Sequence, residues 1–240
     1  TGCGAENGET VSTGMQEADT QAAAEAVAET TVEDTQVAEQ TGAVTFTDDL
    51  GREVTVDNPQ RVISLIASYA DIWYLAGGID KLVATTNATW TYFDLPLRED
   101  IVNLGSSKEL NQEQLLACEP DFVIASCGTD RNVELETFFE DTGINVAYFS
   151  VNSFDDYLRV LKICTDITGC TDNYEEYGTK VAEEVDAALA RVDDTHPTVL
   201  YVRASGKSCK VKNSEGSVLG EMLANMGCVD IADSNESLLE

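Results

Sequence analysis

The chain has 240 residues and a formal charge of −30, because 14 Lys and Arg residues stand against 44 Asp and Glu residues. Nucleic acid and anionic bilayer surfaces repel such a chain, which excludes functions that depend on neutralising phosphates. Hydrophobic residues make up 43% of the chain, enough for a packed core, and no apolar run reaches the ~18–20 residues of a membrane-spanning helix.

The first 51 residues contain eleven acidic side chains and no Lys or Arg, and the first aromatic residue is Phe46. Ala, Thr, Glu, Gln and Gly dominate this stretch. Such a composition cannot bury enough apolar surface to offset the entropy lost on ordering. We therefore expect residues 1–43 to form a disordered acidic tether.

The tether begins with Thr1-Gly2-Cys3-Gly4, which resembles the end of a bacterial lipobox. In a lipobox, a small residue and Gly precede a Cys that is diacylated and becomes the mature N-terminus. This interpretation predicts lipidation at Cys3, so that the chain contacts the membrane through a lipid anchor only. The alternative is an ordinary free Cys in a fragment.

From residue 44 onward, strands alternate with helices, and Asp48-Asp49-Leu50-Gly51 lies at the turn of a predicted hairpin. Short loops between alternating strands and helices are typical of a parallel sheet covered on both faces, an α/β fold. The predicted strands are 44–47, 53–56, 61–66, 81–86, 122–126 and 145–150. The predicted helices are 68–76, 111–117 and 133–142.

The remaining segment begins with two longer predicted helices, 153–168 and 172–192. The second is ~20 residues long and would cross a small domain. A strand at 198–204, a basic hairpin at 206–216 and a helix at 217–226 follow. About forty residues cannot complete another α/β domain.

Four sequence blocks in this order resemble the substrate-binding proteins of ABC importers for ferric siderophores, haem and cobalamin. The blocks are FTDDLGREVTV, RVISLIASYADIWYLAGGIDKLVATT, NQEQLLACEPDFVIAS and ETFFEDTGINVAYFSVNSFDDYLRVLKICTDITG. The resemblance implies two Rossmann-like lobes bridged by a single long helix, with the ligand in the cleft between them and the second lobe incomplete. The implied domains are 44–153 for the N-terminal lobe, 154–196 for the helices that include the bridge, and 197–240 for the start of the C-terminal lobe.

Loops that follow the strands should carry the ligand site, since ligands of open parallel sheets bind beyond the carboxyl ends of the strands. These loops are rich in aromatic rings and hydroxyl groups, which suit a bulky chelate or tetrapyrrole. The alternative for Trp90 and Phe93 is packing against the core. The candidates are Ser68, Tyr69, Trp90, Tyr92, Phe93, Ser107, Lys108, Cys127, Thr129 and Arg131.

A basic cluster adds Arg203, Lys210 and Lys212 to the candidates. Lys210 and Lys212 would share one face of an extended strand. If that face lines the cleft, it would neutralise carboxylates or catecholates of the ligand. The alternative is a solvated hairpin tip.

The resemblance also implies that an acidic residue on each lobe contacts Arg residues of the permease. Glu113, in Asn111-Gln112-Glu113-Gln114, matches the position on the first lobe. A carboxylate in the first turn of a helix also complements the helix dipole, and the two roles are compatible.

Motifs typical of enzymes are absent from the sequence: it has no G-x-G-x-x-G and no G-x-S-x-G, and its single His196 has no clustered partners. We therefore expect no enzymatic activity, no resident cofactor and no metal site. The predicted protein is an extracytoplasmic, lipid-anchored monomer that captures a ferric siderophore, haem or cobalamin and delivers it to ABC permease subunits. The alternative is a surface interaction or sensor ectodomain that uses the same fold without transport.

Overall fold

The computed structural model of the protein describes residues 42–204, 206 and 208–234. These residues all belong to one compact unit, Ala38–Glu240. The predicted lipidation site Cys3 and nearly all of the predicted tether lie outside the described residues.

The described chain begins with the predicted β-hairpin. Strands β1 (Val44–Thr47) and β2 (Glu53–Val56) pair antiparallel, with Val44 opposite Val56. Gly51 closes the turn with a φ of 80°, a conformation that favours glycine. The predicted strands and turn are confirmed.

Five parallel strands form the central sheet in the order β5-β4-β3-β6-β7. Helices that cover both faces bury β3 and β6 completely, which explains their nearly continuous apolar sequences. The parallel α/β fold is confirmed. The strands are β3 (Val62–Ser64), β4 (Leu82–Thr85), β5 (Val102–Asn103), β6 (Phe122–Ser126) and β7 (Asn145–Phe149).

Six helices connect and follow these strands, and side-chain caps start two of them. The Asn111 side chain accepts a hydrogen bond from Gln114 N, and Ser153 and Asp156 form a capping box. Within the described ranges, no helix combines the length and apolar character needed to cross a bilayer. The helices are α1 (Ala67–Leu75), α2 (Ala88–Tyr92), α3 (Gln112–Ala117), α4 (Asp130–Val133), α5 (Glu136–Thr142) and α6 (Phe154–Thr168).

The predicted helix 133–142 is present as α5 but begins at Glu136, because Val133 belongs to the separate helix α4. The buried Asn132 side chain accepts a hydrogen bond from Ser126 N at 3.0 Å. Its backbone carbonyl accepts a hydrogen bond from the Tyr148 hydroxyl, also at 3.0 Å. These contacts fix the end of α4 against the sheet, and α5 begins anew at Glu136.

The last part of the chain begins with a helix that is continuous from Thr171 to Leu189 and spans roughly 28 Å. It consists of α7 (Thr171–Tyr174), a π-helical segment (Glu175–Thr179) and α8 (Lys180–Leu189). The predicted long helix is therefore present, with a π-turn that the sequence pattern did not indicate. Gly178 in this turn is buried, and a Cβ there would approach the Tyr174 ring to 3.1 Å.

Short strands and one helix follow. β8 (Thr198–Val199) pairs in parallel with β11 (Val229–Asp230), and β9 (Tyr201–Ala204) pairs antiparallel with β10 (Cys209–Lys212). The single strand predicted over 198–204 is thus divided at Leu200. The predicted helix is present as α9 (Val218–Asn225).

The core lies on both faces of the five-stranded sheet. Phe122 and Ile124 of β6 belong to the cluster under α1 and α6, whereas Val123 and Ala125 belong to the cluster under α3 and α5. Successive side chains of a strand point to opposite faces, so one strand contributes to both clusters. Trp73 of α1, only 1% exposed, packs near Phe122 with ring centroids 6.3 Å apart.

A buried ion pair joins the hairpin to the sheet. The fully buried Asp48 carboxylate accepts a hydrogen bond from Arg52 Nη2 at 2.6 Å and one from Tyr148 N at 3.2 Å. The same Arg52 nitrogen donates to the Val146 carbonyl. Burial opposes ionisation of Asp48, but the hydrogen bonds from Arg52 and Tyr148 outweigh it and hold the pKa of this carboxyl below its usual value.

We predict that Asp48→Asn lowers the free energy of unfolding by about 2–4 kcal/mol at pH 7, because it leaves the partly buried guanidinium without its counter-charge. A carboxyl with a lowered pKa stabilises the fold at pH values above its ordinary value of 3.8. That contribution is lost as the pH falls through the folded-state pKa. Urea unfolding from pH 7 down to pH 3 should therefore show the difference between the two proteins shrinking at the acidic end. The exposed Asp94→Asn is the control, and equal losses in both variants would contradict the prediction.

Candidate functional site

The order of the strands places a crevice between β3 and β6. From β3 the chain continues to β4 and then β5 on one side, and it returns to β6 on the other side of β3. Connections that leave adjacent strands in opposite directions separate at the carboxyl ends, and ligands of open α/β sheets bind at this point.

A cavity of about 480 Å³ lies at this crevice. Its walls come from the residues that follow β3, β6 and β7, from the first turn of α6, and from one residue of α9. A volume of this size lies within the range of small-molecule sites. The lining residues are Ile66, Ser68, Tyr69, Asp71, Ile72, Ser126, Thr129, Val151, Ser153, Phe154, Tyr157 and Val218.

Two tyrosine rings contribute surface to the cavity, but their hydroxyl protons are used within the protein. Tyr69 Oη donates to the Phe149 carbonyl at 2.9 Å, and Tyr157 Oη donates to the Tyr177 carbonyl at 2.8 Å. The second bond connects the cavity wall to the π-turn of the long helix. Burial raises the pKa of both phenols, so they remain neutral at physiological pH.

The N-terminus of α6 lies at the cavity, and its backbone amides already have partners. Phe154 N donates to Glu221 Oε2 of α9 at 2.8 Å, and Asp156 N donates to Ser153 Oγ at 2.9 Å. The Asp156 carboxylate accepts from the amides of Asn152 and Ser153. Two carboxylates thus occupy a helix end that would otherwise attract an anion.

Asp71 differs from these carboxylates because it has no hydrogen-bond or ion-pair partner among the described residues. It lies on α1 three positions after Ser68, so both side chains share the face of the helix that lines the cavity. Burial raises the pKa of Asp71, and its charge adds to the burial effect that raises the pKa of Tyr157.

A second cavity, of about 530 Å³, lies between α6, α8 and α9. Its walls are mainly apolar and include Met222 and Met226. It shares Phe154 and Val218 with the first cavity but receives no residue from the strand-end loops. The first cavity is therefore the candidate site.

A model of the family described as "Periplasmic binding protein" matches residues 62–238 of the chain. The chain belongs to the periplasmic binding protein family. This assignment confirms the family expected from the four sequence blocks.

Several proteins named for their ligands resemble the chain. A vitamin B12-binding protein of Vibrio campbellii is 30% identical over 142 residues, which are 58% of this chain and 48% of that protein. The structure of the periplasmic haem-binding protein HutB of Vibrio cholerae matches with a TM-score of 0.59 and 18% identity, covering 75% of this chain and 70% of that one. The structure of the siderophore-binding protein BauB, bound to acinetobactin and ferric iron, matches with a TM-score of 0.62 and 16% identity. The match covers 81% of this chain and 70% of that one. The chain thus spans about half the length of the B12-binding relative.

In this periplasmic binding protein, three predicted ligand residues line the cavity: Ser68, Tyr69 and Thr129. Ser68 is exposed and Thr129 is half-buried. Their role in binding remains a prediction.

The predicted aromatic residues lie at the end of β4, on a short helix rather than the expected loop. Trp90 and Tyr92 of α2 are 43% and 78% exposed, and Phe93 is half-buried. Trp90 therefore does not fold back onto the core. The three rings lie outside the lining of the cavity between β3 and β6.

Other predicted residues follow β5 and β6 but lie outside the cavity lining. Ser107 is half-buried and Lys108 is exposed. Arg131 donates to the Leu110 carbonyl at 2.9 Å and pairs with Glu134 at 3.3 Å, so its charge already has partners. Burial raises the pKa of the half-buried Cys127 thiol, which keeps it protonated.

The basic candidates lie on the β9–β10 hairpin. Lys210 is directly opposite Arg203, and Lys212 is opposite Tyr201, so the three cations share one face. Arg203 and Lys210 are exposed, and Lys212 is half-buried. They are absent from the cavity lining, and nothing in their geometry distinguishes a cleft wall from a solvated tip.

The predicted docking residue Glu113 is exposed in the first turn of α3. This position fits both the dipole-complementing carboxylate and an accessible contact for a permease. Its docking role remains a prediction.

Sequence reasoning missed Asp71, Phe154 and Tyr157. Phe154 and Tyr157 could have been found because they follow β7, and ligands of open parallel sheets bind beyond the carboxyl ends of the strands. For Asp71, the signal was its spacing of three from Ser68 on the helix that follows β3.

We predict that Asp71→Asn stabilises the protein at neutral pH by a small amount, about 1–2 °C in Tm, because it removes a partly buried charge that lacks a partner. A carboxyl whose folded-state pKa is raised favours the fold below its ordinary value of 3.8 and disfavours it once it ionises. The rise in Tm of the variant should therefore vanish as the pH falls below 3.8. Calorimetric melting from pH 3 to pH 7 would show this. A lower Tm for the variant at pH 7 would contradict the unpartnered state of this carboxylate.

Proposed function

We propose that this chain is part of an extracytoplasmic substrate-binding protein that captures a ferric siderophore, haem or cobalamin and delivers it to an ABC permease. The observation that carries the proposal is the cavity at the carboxyl ends of β3, β6 and β7 in a chain of the periplasmic binding protein family. Relatives named for vitamin B12, haem and a siderophore support this class of ligand.

The proposed mechanism is capture between two lobes with little hinge motion. The continuous helix Thr171–Leu189, which precedes the strands β8 to β11, supports the role of a rigid bridge. One stiff helix restricts opening more than flexible crossover strands would. The domain boundaries at 43, 153 and 196 belong to this proposal.

Contacts of α9, which follows the long helix Thr171–Leu189, support a ligand site formed by residues on both sides of that helix in the chain. Val218 of α9 contributes to the cavity wall, and Glu221 of the same helix accepts the hydrogen bond from Phe154 N. The helix that follows the long bridge thus reaches the strand-end cavity.

The proposed partners are the permease, reached through Glu113, and the membrane, reached through a lipid on Cys3. The proposed protein is a monomer without a resident cofactor, and the metal chelate is its cargo. The name of its family describes binding, which supports a binding function instead of catalysis.

Binding by a panel of haem, cyanocobalamin and ferric siderophores tests this proposal. At a ligand concentration of about 100 times Kd, the matching chelate should raise the free energy of unfolding by about 2.7 kcal/mol. We predict that Ser68→Phe, which places a ring in the cavity, abolishes this stabilisation.

The matched control is Thr137→Phe, an exposed position on α5 away from the cavity. It should retain the full effect. Flat melting and titration curves for every chelate would refute the proposed function, and equal binding by Ser68→Phe would place the ligand outside this cavity.

A further inference from the structure

The electrostatics of the cavity narrow the class of ligand. Asp71 is the charged residue in its lining, which includes no Lys or Arg among the described residues. The cationic candidates Arg131, Arg203 and Lys210 are committed elsewhere or lie outside the lining. The cavity therefore offers a negative charge to its ligand, in a protein whose net charge is also negative.

The α6 amides and the phenol groups at the cavity are already used as donors, which leaves the neutral hydroxyl groups of Ser68 and Thr129. Amides at the start of α6 already bind Glu221 and Ser153, and the hydroxyl protons of Tyr69 and Tyr157 go to backbone carbonyls. The N-terminus of α1 would attract an anion, but Asp71 lies one turn further along on the same face.

An ionised carboxylate in a partly buried cavity gains most from a partner that carries a cation or a strong donor. Charge-assisted hydrogen bonds are about twice as strong as neutral ones. Inside a partly buried cavity, salt and water screen them less than at an exposed surface. An anionic ligand at the same position would meet like charge without a compensating cation in the lining.

We propose that Asp71 is a specificity-determining residue that binds a cationic or hydrogen-bond-donating group of the ligand and selects against polyanionic chelates. This inference rests on the proposed function, because it concerns the ligand of the same cavity. It contradicts the sequence-based hypothesis that Lys210 and Lys212 neutralise an anionic ligand in this cleft.

Calorimetric titrations of the whole chain with two ferric chelates of opposite charge test the inference. Ferrioxamine B is a hydroxamate chelate with a free ammonium group, and ferric enterobactin is a polyanionic catecholate chelate. We expect the wild type to bind ferrioxamine B more tightly. Asp71→Asn should weaken this binding by about tenfold or more without weakening the binding of ferric enterobactin.

Two control variants test whether the effect is specific to Asp71. Asp141→Asn removes an equal charge from the exposed surface of α5 and should leave both affinities unchanged. The double variant Lys210→Ala and Lys212→Ala should change the affinity for ferrioxamine B by less than about twofold, because these cations lie outside the cavity lining.

Cyanocobalamin, which carries amide donors, and haem, which carries propionates, complete the panel. If cyanocobalamin is the chelate that binds, Asp71→Asn should weaken it too. Tighter binding of ferric enterobactin or haem, or unchanged affinity in Asp71→Asn, would overturn the role of Asp71 while the binding function stands. Absence of binding for all four chelates would overturn the proposed function and this inference with it.

Discussion

The pairing of β3 with β4 on one side and β6 on the other is the constraint on which the candidate site depends. Because the chain leaves β3 in one direction and returns on its other side, the connections separate above the carboxyl ends of these two strands. The buried residues of β6 divide between two core clusters and hold this arrangement in place. The cavity is thus a consequence of strand order, and residues at the strand ends form much of its wall.

The carboxylates discussed above differ in whether they have partners within the protein. Asp48 is buried with a guanidinium and backbone amides, so ionisation stabilises the fold. Glu221 and Asp156 cap the start of α6. Asp71 is half-buried and lacks such a partner among the described residues, and burial raises its pKa. The proposed role of Asp71 in binding a ligand rests on this contrast.

The sequence predicted most of the fold because the signals were local. The hairpin, the Asn111 and Ser153 caps and the apolar strand Phe122–Ser126 all follow from short-range patterns. The position of α4 could not be predicted, since its Asn132 contacts the distant Tyr148. The π-turn likewise makes a contact that local sequence does not reveal, since its Tyr177 carbonyl accepts a hydrogen bond from Tyr157 of α6.

The site was less predictable than the fold, because strand order decides which loops converge. Trp90 and Tyr92 have the composition expected of a binding loop, yet they follow β4, on the far side of β3 from β6. Residues after β7 converge on the cavity although their sequence contains no binding motif. The most direct test of the account is a crystal structure of the chain with a bound chelate. The chelate should lie against Tyr69, Thr129 and Asp71, and a chelate bound instead against Trp90 and Tyr92 or between α8 and α9 would contradict the assignment of the site.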